Sequence, residues 1–322
     1  MTSLHLYTPS GVLLAAAPLR LAAKRLSALG FEVTIDAAAR AKYQRFGGDD
    51  DTRLAALHRV AAAAPSVAMS TRGGYGLTRL LDRIDWKLLA GSVEAGTRWV
   101  GYSDLTALQM GLLAHTKAPS WLGPHGCDDF GRVAATTGAA GPPRQSDDAA
   151  EHAQAAQPAP DVDEVTSACF AEAMSGELEA IGFRTEAGFD GLQARGLLWG
   201  GNLTVLLSLL GTPHWPKVRG GVLFLEDVNE HPYRVERSLL QLHQAGVLDA
   251  QKAVLLGAFS DWRKSPMDRG YTLKSAVAHL RSVTRTPILT GLPFGHVPTK
   301  VCMPYGRRVE VLVQARDVLV GW

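Results

Sequence analysis

The sequence has little cysteine, no excess of charge of either sign and no long apolar run, and each shortage excludes something. Its three cysteines, Cys127, Cys169 and Cys302, are odd in number and match no metal-ligand spacing. That argues against a disulfide framework and leaves buried thiols as the expected state. The 33 basic and 31 acidic residues leave a net charge of +2. No basic stripe with interleaved aromatics appears, so neither nucleic acid nor an anionic membrane is expected as a partner. No stretch reaches the roughly 18 apolar residues that span a bilayer. Met1 to Leu6 lacks a basic segment followed by an apolar one, so a reducing cytoplasm is the expected compartment. What remains is a chain of 322 residues, 46% hydrophobic and 20% charged, enough for one large or two ordinary domains with a real core.

Strand and helix signals alternate through the first third. Leu4–Tyr7, Phe31–Ile35, Val67–Ser70 and Trp99–Tyr102 read as strands. Pro18–Leu29, Asp50–Ala64, Leu77–Ile84 and Leu105–Leu113 read as helices, the second with acidic residues in its first turn. This alternation predicts a mostly parallel sheet covered on both faces, an α/β architecture. Composition shifts at 133–164, which is rich in Ala, Pro, Gly, Gln and Asp. Such a stretch buries too little to offset its ordering entropy and reads as a linker between domains at 1–132 and 165–322, with Val162–Ser175 a candidate helix. Beyond it, Glu179–Arg184, Gln193–Leu198, Gly221–Leu225, Ala253–Gly257 and Arg308–Val313 read as strands. Leu203–Leu210 (capped by Gly200-Gly201-Asn202), Tyr233–Ala245 and Thr272–Val283 read as helices.

Four sites stand out. Ser103 follows the strand Trp99–Tyr102 and precedes an apolar helix, so its hydroxyl is displayed at the carboxyl edge of a sheet. The sequence Gly101-Tyr102-Ser103-Asp104 lacks the second glycine of G-x-S-x-G, and a helix N-cap role for Ser103 or Asp104 is the simpler alternative. Arg72-Gly73-Gly74-Tyr75-Gly76 also follows a strand. Its glycines either present amides to an anion or merely make a tight turn. It is neither a dinucleotide fingerprint nor a phosphate loop. Glu226 ends the apolar run Gly221–Leu225, as either a surface carboxylate or a site residue. His296 sits in Gly291–Pro298, a loop stiffened by glycine and proline, and is one of ten histidines. Together the four offer a nucleophile, an anion cradle, an orienting carboxylate and a base.

These segments resemble the LD-carboxypeptidase family of serine peptidases, which includes murein tetrapeptide LD-carboxypeptidases and the microcin C immunity peptidase. The runs that carry the resemblance are Thr8-Pro9-Ser10-Gly11, Phe46-Gly47-Gly48-Asp49-Asp50, Arg72–Gly76, Gly101–Asp104, Gly200-Gly201-Asn202-Leu203, Leu225–Glu230, Pro232-Tyr233-Arg234 and Gly295-His296. The resemblance implies an N-terminal α/β sandwich, a C-terminal swivelling β/β/α domain and a homodimer. It implies a triad of Ser103 as nucleophile, His296 as general base and Glu226 as orienter. The backbone amides of Gly74 and Asp104 would form the oxyanion hole, and neither metal nor cofactor would be needed. Leu122-Gly123-Pro124-His125-Gly126 departs from the family's usual His-Gly-Pro, and 133–164 is longer than a typical connector.

The implied reaction is removal of the terminal D-alanine from a murein tetrapeptide in cell-wall recycling. Arg72, Arg234 and Arg237 are candidates for the substrate's carboxylate. A microcin-immunity type of peptidase, cutting an amide next to a nucleotide-like group, is the rival enzyme. It would want a stacking aromatic such as Trp215, Trp262 or Tyr305. A peptide-binding module without catalysis is the rival of another class.

Overall fold

A computed structural model of the chain describes residues 1–132 and 162–322. The first sheet is built from β1 (Thr2–Tyr7), β2 (Phe31–Ile35), β3 (Val67–Ser70), β4 (Arg98–Gly101) and β5 (Ser120–Leu122), in spatial order β5-β4-β3-β1-β2, all parallel. The helices α1 (Ala17–Ala28), α2 (Asp50–Ala63), α3 (Trp86–Glu94) and α4 (Leu105–Thr116) connect these strands. The second sheet contains β6 (Ala180–Arg184), β7 (Gln193–Asn202), β8 (Val222–Val228), β9 (Ala253–Ser260) and β10 (Ile288–Thr290). Strand β11 (Met303–Tyr305) crosses back and pairs antiparallel with β5, on the edge of the first sheet. Strands β12 (Arg308–Gln314) and β13 (Asp317–Gly321) then complete the second sheet, in order β10-β9-β8-β7-β12-β13-β6. Helices α5 (Glu164–Ser175), α6 (Leu203–Ser208), α7 (Pro232–Gln244) and α8 (Leu273–Val283) belong to this part of the sequence.

The mixed α/β architecture read from the sequence is the one observed. The apolar run after Ser103 explains how the two sheets are joined. Every residue from Leu105 to Leu113 is buried, because α4 has protein on all sides. A helix that is hydrophobic all round belongs in a core. It touches the second sheet directly: the Asn202 amide at the end of β7 donates to Thr106 Oγ1 at 3.0 Å. Helix α5 lies against the first sheet's side, with the Phe170 ring 5.4 Å from Phe31 and 5.3 Å from Phe130.

The structure departs from the sequence reading in several places. The helix expected over Leu77–Ile84 is two short 3₁₀ turns, Leu77–Arg79 and Leu81–Arg83. Its first amide is tied to Asp104 at 3.0 Å, and Asp85 caps the next helix by accepting the Leu88 amide. Its turns close three residues back instead of four, Leu80 onto Leu77 at 2.9 Å and Arg83 onto Leu80 at 2.8 Å. The strand expected at 308–313 turns through Ala315, at φ 54°, into a further strand, β13, that carried no separate expectation. Strands β5, β10 and β11 have three residues each, below the length at which alternation is visible. Most of the linker expected at 133–164 lies outside the described residues, and Glu164 already belongs to α5.

Candidate active site

Ser103 stands where β4 hands over to α4, with φ 59°. A non-glycine residue in the left-handed region costs on the order of 1–2 kcal/mol. The surroundings impose it: the Leu105 and Thr106 amides close onto the carbonyls of Tyr102 and Ser103 at 3.1 and 2.9 Å. The turn throws the hydroxyl away from the helix axis, and Ser103 Oγ lies 3.0 Å from His296 Nε2. Neither Ser103 nor Asp104 caps α4 with its side chain. Asp104 is buried, and its Oδ2 accepts the Ser10 hydroxyl at 2.7 Å and the Leu77 amide at 3.0 Å. Burial pushes its carboxyl above the usual range against those two hydrogen bonds.

His296 reaches Ser103 from the long loop between β10 and β11. Its Nδ1 lies 2.8 Å from Glu226 Oε2, whose side chain is wholly buried. Glu226 owes its direction to an irregularity in β8. The pairing with β9 shifts between Leu225 and Asp227. Consecutive strand residues normally point to opposite faces, and a bulge is what re-aims them. Here both Glu226 Oε1 and Asp227 Oδ1 reach Asn202 Nδ2, at 3.2 and 2.9 Å. Asp227 Oδ2 in turn accepts the Thr204 amide and hydroxyl, at 2.9 and 2.8 Å. Burial lowers the affinity of the His296 imidazole for a proton. The Glu226 hydrogen bond, the Glu226 charge and Asp227 outweigh it, and the pKa rises above 6.5 despite the opposing charge of Lys300.

The glycine loop closes the other side of Ser103. A Cβ on Gly73 would meet Ser103 Oγ at 2.6 Å, so only glycine lets the loop pass the hydroxyl. Gly74 follows with φ 116°, a conformation open to glycine and strained for other residues. Among the described residues, neither the Gly74 amide nor the Asp104 amide donates to a protein acceptor. Both are thus unspent donors beside the elbow. Beside them a cavity of about 490 Å³ is lined by Tyr75, Asp104, Thr204, Leu209 and His214, among others. Another, of about 670 Å³ between β6, β12 and β13, contains none of the candidate residues.

The three candidate arginines are placed differently. Arg72 adjoins the loop: its Nη1 donates to the Val12 carbonyl at 3.0 Å, and its buried Nε has no hydrogen-bond partner among the described residues. Arg234, on α7, is engaged by Glu230 at 2.5 Å. Arg237 is exposed on the same helix. Of the aromatic candidates, Tyr305 is fully buried. Trp215 packs edge-on against Trp199, and Trp262 against His231.

Sequence reasoning missed several neighbours. Asn202 was legible as a helix cap, and its Oδ1 does accept the Val205 amide at 3.1 Å, but its amide nitrogen serves the two carboxylates. The Gly123–Gly126 loop that departs from the family's usual sequence touches the site. The His125 ring stacks on Tyr102 at 4.2 Å, and the Tyr102 ring lies edge-on to His296 at 4.9 Å. No local pattern marks either contact.

Comparison with known proteins fits both halves of this arrangement. Residues 4–123 match the LD-carboxypeptidase N-terminal domain and residues 195–311 the LD-carboxypeptidase C-terminal domain. The crystal structure of muramoyltetrapeptide carboxypeptidase from Oxalobacter formigenes is 34% identical with a TM-score of 0.83, covering 99% of this chain and 98% of that one. The murein tetrapeptide carboxypeptidase of Pseudomonas aeruginosa is 28% identical over 88% of this chain and 85% of its own length. The microcin C7 self-immunity protein MccF, at 18% identity and a TM-score of 0.80 over 100% of this chain and 96% of that one, shares the fold. Fold and comparisons together define a peptidase of the serine type. The chain belongs to the LD-carboxypeptidase family.

Proposed function

We propose that this protein is a serine LD-carboxypeptidase that releases the terminal D-alanine of murein tetrapeptide, with Ser103 as nucleophile, His296 as general base and Glu226 as orienter. The observation that carries the reading is the continuous relay from Ser103 Oγ through His296 to buried Glu226, at 3.0 and 2.8 Å. The substrate follows the names of the relatives from Oxalobacter formigenes and Pseudomonas aeruginosa.

In this reading Glu226 accepts a hydrogen bond from His296 Nδ1–H and so leaves Nε2 free to receive the proton of Ser103. The serine oxygen attacks the carbonyl of the scissile amide. The Gly74 and Asp104 amides receive the developing oxyanion, each donor contributing about 2.7–4 kcal/mol in a comparable enzyme. His296 then protonates the leaving D-alanine, and water attacks the acyl-enzyme by the same route. Arg72 is the favoured cation for the substrate's free carboxylate, because it opens the glycine loop that passes the Ser103 hydroxyl. The segments 1–132 and 165–322 act as two domains joined by 133–164, with the reaction between them, in a cytoplasmic homodimer. No described helix is long and apolar enough to cross a membrane.

The deciding assay incubates purified protein separately with murein tetrapeptide and with an aminoacyl-nucleotide amide. Mass spectrometry then quantifies D-alanine and nucleotide. Release of D-alanine is the expected result. Release of nucleotide alone would move the protein to the immunity type, and binding of the peptide without turnover would make it a binding module.

A further inference from the structure

The loop that carries His296 has no regular secondary structure from Gly291 to Cys302, yet it holds an imidazole at hydrogen-bond distance from a serine on the other sheet's side. Its strongest anchor is Lys300, whose side chain is wholly buried. The ammonium donates to Asp129 Oδ1 at 2.7 Å and to the Val297 carbonyl, next to His296 in the chain. Asp129 is itself buried, and its Oδ2 accepts the His125 amide at 2.8 Å. The same ammonium stands 5.1 Å from the centroid of the Tyr102 ring, which lies against His296. The Lys300 amide donates to Thr166 Oγ1 at 2.8 Å, and the Thr299 hydroxyl to Asp163 at 2.8 Å, so α5 holds the same loop from behind.

A buried ion pair is a poor source of net stability, because desolvation of both ions consumes most of the attraction. Its use is to fix geometry. We propose that Lys300 is a positioning residue for His296: its ammonium, held between Asp129 and the Val297 carbonyl, seats the loop against Ser103 and keeps a fixed positive charge beside the imidazole. The proposal rests on reading His296 as the general base. The charged groups that act on the imidazole are Glu226 and Asp227 from the second sheet and Lys300 from its own loop. On the first-sheet side, Asp128 and Asp129 face Tyr102, with Arg132 3.9 Å from Asp129.

The test measures the His296 imidazole titration by NMR, together with kcat and KM on murein tetrapeptide, in Lys300→Met, Asp129→Asn and the double variant. Lys300→Met removes a positive charge, so the imidazole titrates at higher pH than in the wild type. Asp129→Asn leaves the ammonium unbalanced, so it titrates at lower pH. The double variant lies between the two. Each single variant loses on the order of tenfold in kcat, with KM held within about twofold. Should either single variant fail to fold, the neutral double variant carries the test, with a lowered kcat expected. Wild-type kcat in any folded variant that lacks Lys300, or an unmoved titration in folded Lys300→Met, would overturn the proposal. A folded His296→Ala protein with undiminished turnover would instead overturn the underlying assignment, and it leaves the titration measurements intact.

Discussion

The two sheets supply their reactive groups in different ways. The first sheet works through backbone shape: a serine at φ 59°, a glycine loop pressed against its hydroxyl and two amides without acceptors among the described residues. The second works through buried charge: Glu226 and Asp227 at a strand irregularity, Asn202 bridging them, and His296 held on a loop. The contrast assigns sensitivities. The glycine loop and its amides should be vulnerable to steric change and little affected by small changes of charge, and the carboxylates and imidazole of the second side the reverse.

The largest expected effect is at the point where the two sides meet. Ser103→Ala should keep the fold and lose at least about 10⁴-fold in kcat, measured as D-alanine release from murein tetrapeptide. Glu226→Gln tests the charge side while nearly preserving shape. It should cost about 10³–10⁴-fold, because the amide no longer enforces the required imidazole tautomer. Equal losses in kcat and kcat/KM would place the effect in the transition state. Gly74→Ala tests the shape side with no change of charge. Its Cβ would come within 3.1 Å of Gly11 Cα at a φ suited to glycine. Displacing one oxyanion donor should cost about 10²–10³-fold in kcat. Near wild-type activity in this variant would erase the distinction between the sides.

The parts of the site that were legible in the sequence are those written into contiguous residues. Ser103, the glycine loop and Glu226 each end an apolar strand run, and the carboxyl ends of such strands are where α/β folds gather their site residues. His296 was legible through the glycines and prolines around it. What was hidden depends on pairing between distant segments. Nothing in Leu225-Glu226-Asp227 announces that β8 slips against β9 there, and without the slip Asn202 reads only as a cap. Lys300 reads as an ordinary surface lysine until Asp129 is placed beside it. β11 contains a proline among three residues and gives no strand signal, although it joins the two halves of the fold.

The relay from Ser103 to His296 is the centre of the account, and its ionisation gives a sign that can be checked. The His296 pKa is raised in the folded protein, so its charged pairing with Glu226 stabilises the fold below about pH 6.5 and is lost as pH rises through the raised value. Reactivity runs the other way, since the base must be neutral. The most direct measurement is covalent labelling with a serine-directed fluorophosphonate, mapped by peptide mass spectrometry across pH in wild-type and His296→Ala protein. Labelling should fall on Ser103, rise as pH passes through the raised His296 value and vanish in His296→Ala. A Ser103 adduct formed at the same rate with and without the imidazole would contradict it.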